Sequence, residues 1–161
     1  MQISYRVIQA EEYEFLNEML YEALFVLPGQ PKFPREIIED PSIKKNIENW
    51  NQKEGDLAIV CLDGEELIGA IWGRKFSEDN KGYGFIDAET PEIGMAIKQE
   101  YRGKGLGSNL IKLIIDKYIE MGVGQLSLNV NTLNPAKRLY ERIGFMKVSE
   151  ESGAAIMARQ L

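Results

Sequence analysis

Apolar and polar positions follow two rhythms along the chain, one typical of strands and the other typical of helices. Short apolar runs between turn residues predict strands. These are Ile3–Ile8, Asp56–Leu62, Leu67–Phe76, a run ending at Ile97, Gln125–Val130, Phe145–Ser149 and Ala155–Arg159. Apolar residues spaced three or four positions apart predict helices. These cover Glu11–Leu27, Ser42–Asn51, a stretch of about four turns that contains Leu110 and Tyr118, and the stretch after Asn134. Residues 77–90 are polar and show weak strand character only near Tyr83–Ile86.

The order of these elements is β-α-α-β-β-β-α-β-α-β-β. Such an order predicts an α/β protein in which a mixed, twisted sheet carries helices on both faces. The 161 residues contain no linker, charge block or internal repeat that would divide them. We therefore expect one domain over residues 1–161.

A glycine-rich turn between the strand ending at Ile97 and the following helix is the first candidate site. Alternating glycines let main-chain N–H groups point inward, and the start of the helix adds further unpaired N–H groups. This arrangement predicts a phosphate cradle. Its residues are Arg102, Gly103, Lys104, Gly105, Leu106, Gly107 and Ser108. The spacing fits neither the G-x-G-x-x-G fingerprint of dinucleotide-binding folds nor the Gly-Lys-Ser/Thr ending of a Walker A loop.

A second motif surrounds the last predicted helix and has the form N-x-A-x-x-L-Y-x-x-x-G-F, from Asn134 to Phe145. Asn134 is a suitable N-cap, Pro135 suits the first helical position, and Gly144 suits the position after the helix. Tyr140 falls on the apolar stripe of this helix, so we expect it on the buried face.

These two motifs, in this order, resemble the GNAT superfamily of N-acetyltransferases over about residues 92–148. The resemblance implies a mostly antiparallel sheet with a V-shaped split between its central strands. It also implies acetyl-CoA as co-substrate and direct transfer of the acetyl group to a primary amine of a small molecule or peptide. Main-chain groups of Met95, Ala96 and Ile97 would bind the pantetheine arm, Asn134 would contact it, and Tyr140 would donate to the leaving sulfur. A transferase using a larger acyl-CoA and a non-catalytic acyl-CoA-binding module remain alternatives.

The general base is a separate question. Some members of the superfamily carry a glutamate on the strand before the second motif, where this chain has Asn129, which cannot abstract a proton. Glu92, at the start of the strand before the cradle, is the predicted replacement, acting through water, with Asp87 and Glu89 as alternatives. The acceptor pocket is expected from the Phe25–Phe33 region. Trp72, Phe76 and the segment 83–85 complete the expected walls.

Composition restricts the function classes. The net charge is −6 with no basic cluster, which argues against nucleic-acid binding. No apolar stretch approaches the length of a membrane span. The absence of histidine and the single Cys61 argue against a metal site and favour the cytoplasm, with Cys61 a buried structural thiol. Glutamates give the first helix an acidic surface, which is either a solvated face or an attractor of cationic amines. We expect a monomer or a homodimer.

Overall fold

A computed structural model describes all 161 residues. It contains seven strands and four α-helices. The strands are Ile3–Val7 (β1), Leu57–Asp63 (β2), Glu66–Arg74 (β3), Glu92–Ile97 (β4), Gln125–Asn131 (β5), Met146–Glu151 (β6) and Ala154–Gln160 (β7). The helices are Phe15–Ala23 (α1), Pro41–Lys44 (α2), Leu106–Glu120 (α3) and Ala136–Ile143 (α4). None of the helices combines the length and apolar character that a bilayer crossing requires.

All seven strands form one sheet with the order β1-β2-β3-β4-β5-β7-β6. Every neighbouring pair is antiparallel except β4 and β5, which run parallel. These two strands pair only at Glu92 and Ser127, although β4 stays paired with β3 up to Ile97. Beyond that one pairing, β4 and β5 diverge. The predicted mixed sheet with a V-shaped split is therefore confirmed.

Side chains that alternate along the strands fill two apolar layers, one on each face of the sheet. Val60 and Trp72 pack with Leu16 of α1 on one face. Ile59 packs with Ile111 of α3 on the other face, which α4 also covers. The predicted placement of helices on both faces is correct. We call these the α1 face and the α3 face.

The first helix is shorter than its pattern predicts. Residues Ala10–Glu12 form a 3₁₀ turn, in which the Glu12 carboxylate accepts the Gln9 N–H and binds Arg6 at 2.7 Å. The helix ends when Leu24 becomes extended. This change carries the following residues over the sheet instead of along the helix axis.

The predicted helix over Ser42–Asn51 is wrong beyond Lys44. Residues 45–51 form turns, in which Asn49 and Asn51 have positive φ values of 52° and 70°. Carbonyls that a helix would use internally instead accept bonds from the guanidinium of Arg74, which lies beneath them. The bond from Arg74 Nη1 to the Glu48 oxygen is 2.7 Å long. Tertiary hydrogen bonding thus replaces the helical ladder.

The weak strand signal at Tyr83–Ile86 is also wrong, because this segment is a turn. Gly82 and Gly84 pack directly on Glu92, where a Cβ atom on Gly82 would stand 2.1 Å from the Glu92 Oε2 atom. Contact with the end of β4 therefore determines the path of this segment.

Candidate active site

The turn before α3 presents a row of free main-chain donors. Six consecutive N–H groups, from Gly103 to Ser108, donate to no carbonyl or side chain of the protein. Gly103 and Gly105 have φ values of 76° and 79°, a region that favours glycine. Arg102 holds the turn against β4 through a 2.9 Å bond from its Nε atom to the Ile97 carbonyl. Free donors at the positive end of a 15-residue helix suit an anion, so the geometry fits the predicted phosphate cradle.

Gly107 serves a different purpose from the other two glycines, because its φ is ordinary. A Cβ atom there would meet the Met95 Cε atom at 3.1 Å and the Leu139 Cδ2 atom at 3.5 Å. The missing side chain lets the first turn of α3 lie against β4 and α4. The cradle therefore sits directly at the open end of the split sheet.

The split between β4 and β5 forms a cleft of about 1020 Å³ that continues from the cradle through the sheet. Every residue that the sequence predicted as catalytic or cofactor-binding lines it, apart from Lys104, which is exposed. The predicted residues in the wall are Glu92, Met95, Ala96, Ile97, Arg102, Gly103, Gly105, Leu106, Gly107, Ser108, Asn134 and Tyr140. The fold thus assembles residues that are far apart in the chain.

Tyr140 approaches the cleft from the α3 face. Its ring packs edge-on against Phe145, with centroids 5.9 Å apart, and is almost fully buried. Burial raises the pKa of Tyr140 to about 12, and its hydroxyl bonds to no protein group. Asn134 stands two residues before the helix that carries Tyr140, and its Oδ1 accepts the N–H of Ala136, the first residue of that helix, at 2.9 Å. Tyr140 is therefore a neutral donor, free to bond a ligand in the cleft.

Glu92 lies at the vertex of the split, where β4 and β5 still pair. Its side chain is buried, and burial raises its pKa to about 7, although the Gly84 N–H and the charge of Lys45 act in the opposite direction. The Oε2 atom has no hydrogen-bond partner, and neither has the buried Oγ atom of Ser127 across the strand pair. A carboxyl group with such a pKa can exchange a proton near neutral pH.

Glu92 and Tyr140 enter the cleft from opposite faces of the sheet. Glu92 alternates with Gly94 and Ala96, and Ala96 belongs to the apolar layer on the α1 face. Tyr140 belongs to the layer on the α3 face. A ligand passing between the strands would therefore meet a carboxyl group on one side and a phenol on the other.

The acceptor side only partly matches the expectation. Trp72, Phe25, Phe33 and Tyr83 line the cleft as predicted. Phe76 does not, because it is buried beneath Gly82. Gly84 and Phe85 do not line the cleft either.

The alternative bases can be compared directly with Glu92. Asp87 accepts the Glu89 N–H and the Thr90 hydroxyl, which makes it part of a turn. Glu89 is 90% exposed, 3.6 Å from Lys75. Neither carboxylate lines the cleft.

Cys61 is buried as predicted, and burial raises its pKa to about 11. A thiol with this pKa carries little thiolate at neutral pH. No cluster of three or more His, Cys, Asp or Glu side chains in the structure has the arrangement of a metal site.

Several residues of the site have no signal in the sequence. Asn46 and Arg142 line the cleft, although Asn46 lies outside both motifs and Arg142 occupies a variable position of the second. Arg74 is fully buried and binds both carboxylate oxygens of Asp56, at 2.9 and 2.8 Å. Its neighbours come from a distant loop, so only the assembled fold reveals the pair.

Comparison with known proteins agrees with this geometry. Residues 17–145 match the acetyltransferase (GNAT) family. Over 86 residues the chain is 34% identical to mycothiol acetyltransferase of Corynebacterium aurimucosum. This match covers 53% of the chain and 26% of that protein. It is 26% identical over 149 residues to human N-alpha-acetyltransferase 30, covering 88% of the chain and 38% of that protein. The chain thus spans well under half the length of these relatives.

Among solved structures, PaiA N-acetyltransferase of Thermoplasma acidophilum in complex with coenzyme A is similar to this chain with a TM-score of 0.73. The two are 20% identical, and the match covers 100% of both chains. This likeness concerns the fold. The family match over residues 17–145 shows that the chain belongs to the acetyltransferase (GNAT) family.

Proposed function

We propose that this member of the GNAT family is an acetyl-CoA-dependent N-acetyltransferase acting on a primary amine of a small molecule or peptide. The observation that carries the proposal is the row of six free N–H groups from Gly103 to Ser108. This row opens into a through-sheet gap that reaches both Tyr140 and Glu92. A cradle alone would suit many phosphate ligands, but the cleft behind it leads a long ligand to two groups capable of proton chemistry.

The residues of the cleft fit a phosphate-headed, extended ligand. Main-chain donors of the cradle would bind the pyrophosphate. Over residues 95–97, the edge of β4 that diverges from β5 would offer main-chain groups to an amide-containing arm, apart from the Ile97 carbonyl, which Arg102 occupies. The amide nitrogen of Asn134 is also available, since only its oxygen is used in the helix cap. Acetyl-CoA would supply an activated acetyl thioester at the end of that arm.

Glu92 would manage the proton of the acceptor. An alkylammonium must lose one proton before its nitrogen can form the new N–C bond. Ionised Glu92, whose Oε2 atom has no protein partner, would accept that proton directly or through one water that also contacts Ser127. Glu92 would then release the proton to solvent.

Tyr140 would stabilise the departing sulfur. As the C–S bond breaks, its electron pair goes to sulfur, and a neutral phenol can donate a hydrogen bond to the developing thiolate. The nitrogen loses a second proton as the amide forms, and this proton neutralises the thiolate, which leaves as the free thiol of coenzyme A. A pKa of about 12 keeps Tyr140 protonated at neutral pH, which a donor requires. Cys61 has no place in this scheme, because it is buried and does not line the cleft.

Two measurements on one preparation test the proposal. Calorimetric titration with acetyl-CoA should show binding, and free thiol should be released only when an amine is present. Binding without release of coenzyme A for any amine would leave a non-catalytic acyl-CoA-binding module. Faster turnover with a longer acyl-CoA would identify a transferase for a larger acyl group.

We also propose that residues 1–161 form one domain that works in the cytoplasm. β1 and β6 are the two edges of the same sheet, and the buried Cys61 is a free thiol. One cooperative urea transition seen by both tryptophan fluorescence and circular dichroism is expected. Two separate transitions would contradict a single domain.

A further inference from the structure

We infer that the acceptor is an amine with a single positive charge and a bulky apolar group close to it. The inference rests on the proposed function and specifies its substrate class. It comes from the part of the cleft on the α1 face, next to Glu92. We call this part the acceptor pocket, and its apolar wall consists of Leu24, Phe25, Val26, Phe33, Ile43 and Trp72.

The acceptor pocket is built mainly from apolar side chains that carry no charge. Trp72 belongs to the apolar layer on the α1 face, and Ile43 packs against that layer. Leu24, Phe25 and Val26 directly follow α1, while the Phe33 carbonyl accepts a bond from the Tyr21 hydroxyl of α1. This bond holds the residues between them across the pocket. A large apolar group would replace water on these walls and gain free energy from its burial.

Carboxylates are scarce in the cleft, which argues against acceptors with two or more charges. Only Glu22 and Glu92 contribute carboxylates to its lining. Glu22 lies at the cradle end, where its Oε2 atom is 3.3 Å from the Arg102 guanidinium. Glu92 is therefore the single carboxylate that faces the acceptor pocket.

The other charged side chain in the lining of the acceptor pocket is positive. Lys32 contributes to its lining, and the charge of Lys45 acts on Glu92. A second ammonium in this pocket would find only neutral groups, such as the amide oxygens of Asn46 and Asn129. An ammonium that leaves water without an opposite charge pays a large desolvation cost. The acidic residues on the outer surface of α1 do not reach this space.

A matched pair of acceptors tests the inference. Octylamine and 1,8-diaminooctane have the same chain length and differ by one terminal ammonium. With saturating acetyl-CoA, kcat/KM for octylamine should exceed that for the diamine by at least about 100-fold. Equal values, or a preference for the diamine or for spermidine, would overturn the inference while leaving the proposed function intact.

Variants at Phe33 connect the preference to the pocket. Phe33 lines the pocket and is 42% exposed, so its replacement should not disturb folding. Phe33→Glu would provide the missing carboxylate and should reduce the preference for octylamine at least about tenfold. Phe33→Leu is the matched control, because it keeps an apolar side chain at the same position, and it should keep the preference for octylamine. An unchanged ratio in Phe33→Glu would place the acceptor elsewhere and refute the inference.

Three further substrates distinguish a small-molecule amine from a polypeptide N-terminus. Phenethylamine represents a small molecule, and tetrapeptides beginning with Phe or Asp represent polypeptide N-termini. Turnover of phenethylamine at a rate comparable with octylamine identifies a small amine, whereas a Phe-led peptide that turns over faster than both identifies a peptide. An Asp-led peptide that turns over as fast as the Phe-led peptide would overturn the inference. Bound acetyl-CoA with no acetylation of any amine would refute the proposed function itself, and this inference with it.

Discussion

Replacing Glu92 with glutamine tests the assignment of the base through stability as well as rate. Glutamine keeps the size of the side chain but cannot ionise. Burial raises the pKa of Glu92 from an ordinary 4.5 to about 7, so the folded state holds this proton more tightly than the unfolded chain. The favourable contribution of protonated Glu92 to the free energy of unfolding is fully present below pH 4.5 and is lost as the pH rises through 7.

The size of this effect follows from the two pKa values. Each unit of difference between the folded and unfolded pKa corresponds to about 1.4 kcal/mol. Ionisation of Glu92 therefore costs the folded state roughly 3 kcal/mol by pH 8. Glu92→Gln avoids this cost. The free energy of unfolding of the variant minus that of the wild type should therefore rise by about 3 kcal/mol between pH 4.5 and pH 8.

Urea unfolding at a series of pH values measures this difference. Other titrating groups cancel, because both proteins contain them. Glu89→Gln is the matched control, since it removes the same charge from a position that is 90% exposed and should change the pH dependence little. Parallel stability curves for wild type and Glu92→Gln would show that Glu92 is not a buried, proton-holding carboxyl group.

The rate should respond to the same group. Glu92→Gln should lower turnover at pH 7 and recover part of it at high pH, where solvent supplies free amine. This contrast separates a catalytic carboxylate from a packing residue, because glutamine fills the same space. Parallel pH–rate profiles for the two proteins would leave water or another carboxylate as the base.

Three further substitutions examine the donor, the cradle and the fold. Tyr140→Phe should fold normally and bind acetyl-CoA with little change but lose about 10²–10⁴-fold in turnover, measured where chemistry limits the rate; unchanged turnover would make Tyr140 a core residue. Gly105→Val, at a φ of 79°, should weaken acetyl-CoA binding in calorimetry far more than Ser108→Ala; normal affinity in a folded Gly105→Val protein would reject the cradle. Arg74→Met should lower the free energy of unfolding by about 3–5 kcal/mol, because it strands the buried Asp56 carboxylate; a loss below 1 kcal/mol in urea unfolding would contradict this account.

The fold was largely predictable because its strands and long helices carry strong local periodicity. The apolar runs at residues 57–62 and 67–74 and the stripe of α3 determine their own conformation by burial of one face or both. Predictions were wrong where local propensity competed with a distant partner. At residues 45–51, Arg74 takes the carbonyls that a helix would need. At Gly82 and Gly84, contact with Glu92 replaces the expected strand.

By itself, the sequence determined the cradle and the helix that carries Tyr140, because both depend on local chemistry. Alternating glycines permit positive φ and free N–H groups, while Asn134, Pro135 and Gly144 set the ends of one short helix. These features need only neighbouring residues. They could therefore be recognised without knowledge of the rest of the chain.

Only the tertiary structure decided how these parts cooperate. The single pairing of β4 with β5 opens the gap, brings Glu92 and Tyr140 to it from opposite faces, and buries Glu92 deeply enough to raise its pKa to about 7. The fold also gathers the apolar acceptor pocket from the residues that follow α1, from Ile43 and from Trp72. Strand divergence and desolvation depend on contacts between residues remote in the chain, and such contacts leave no local pattern in the sequence.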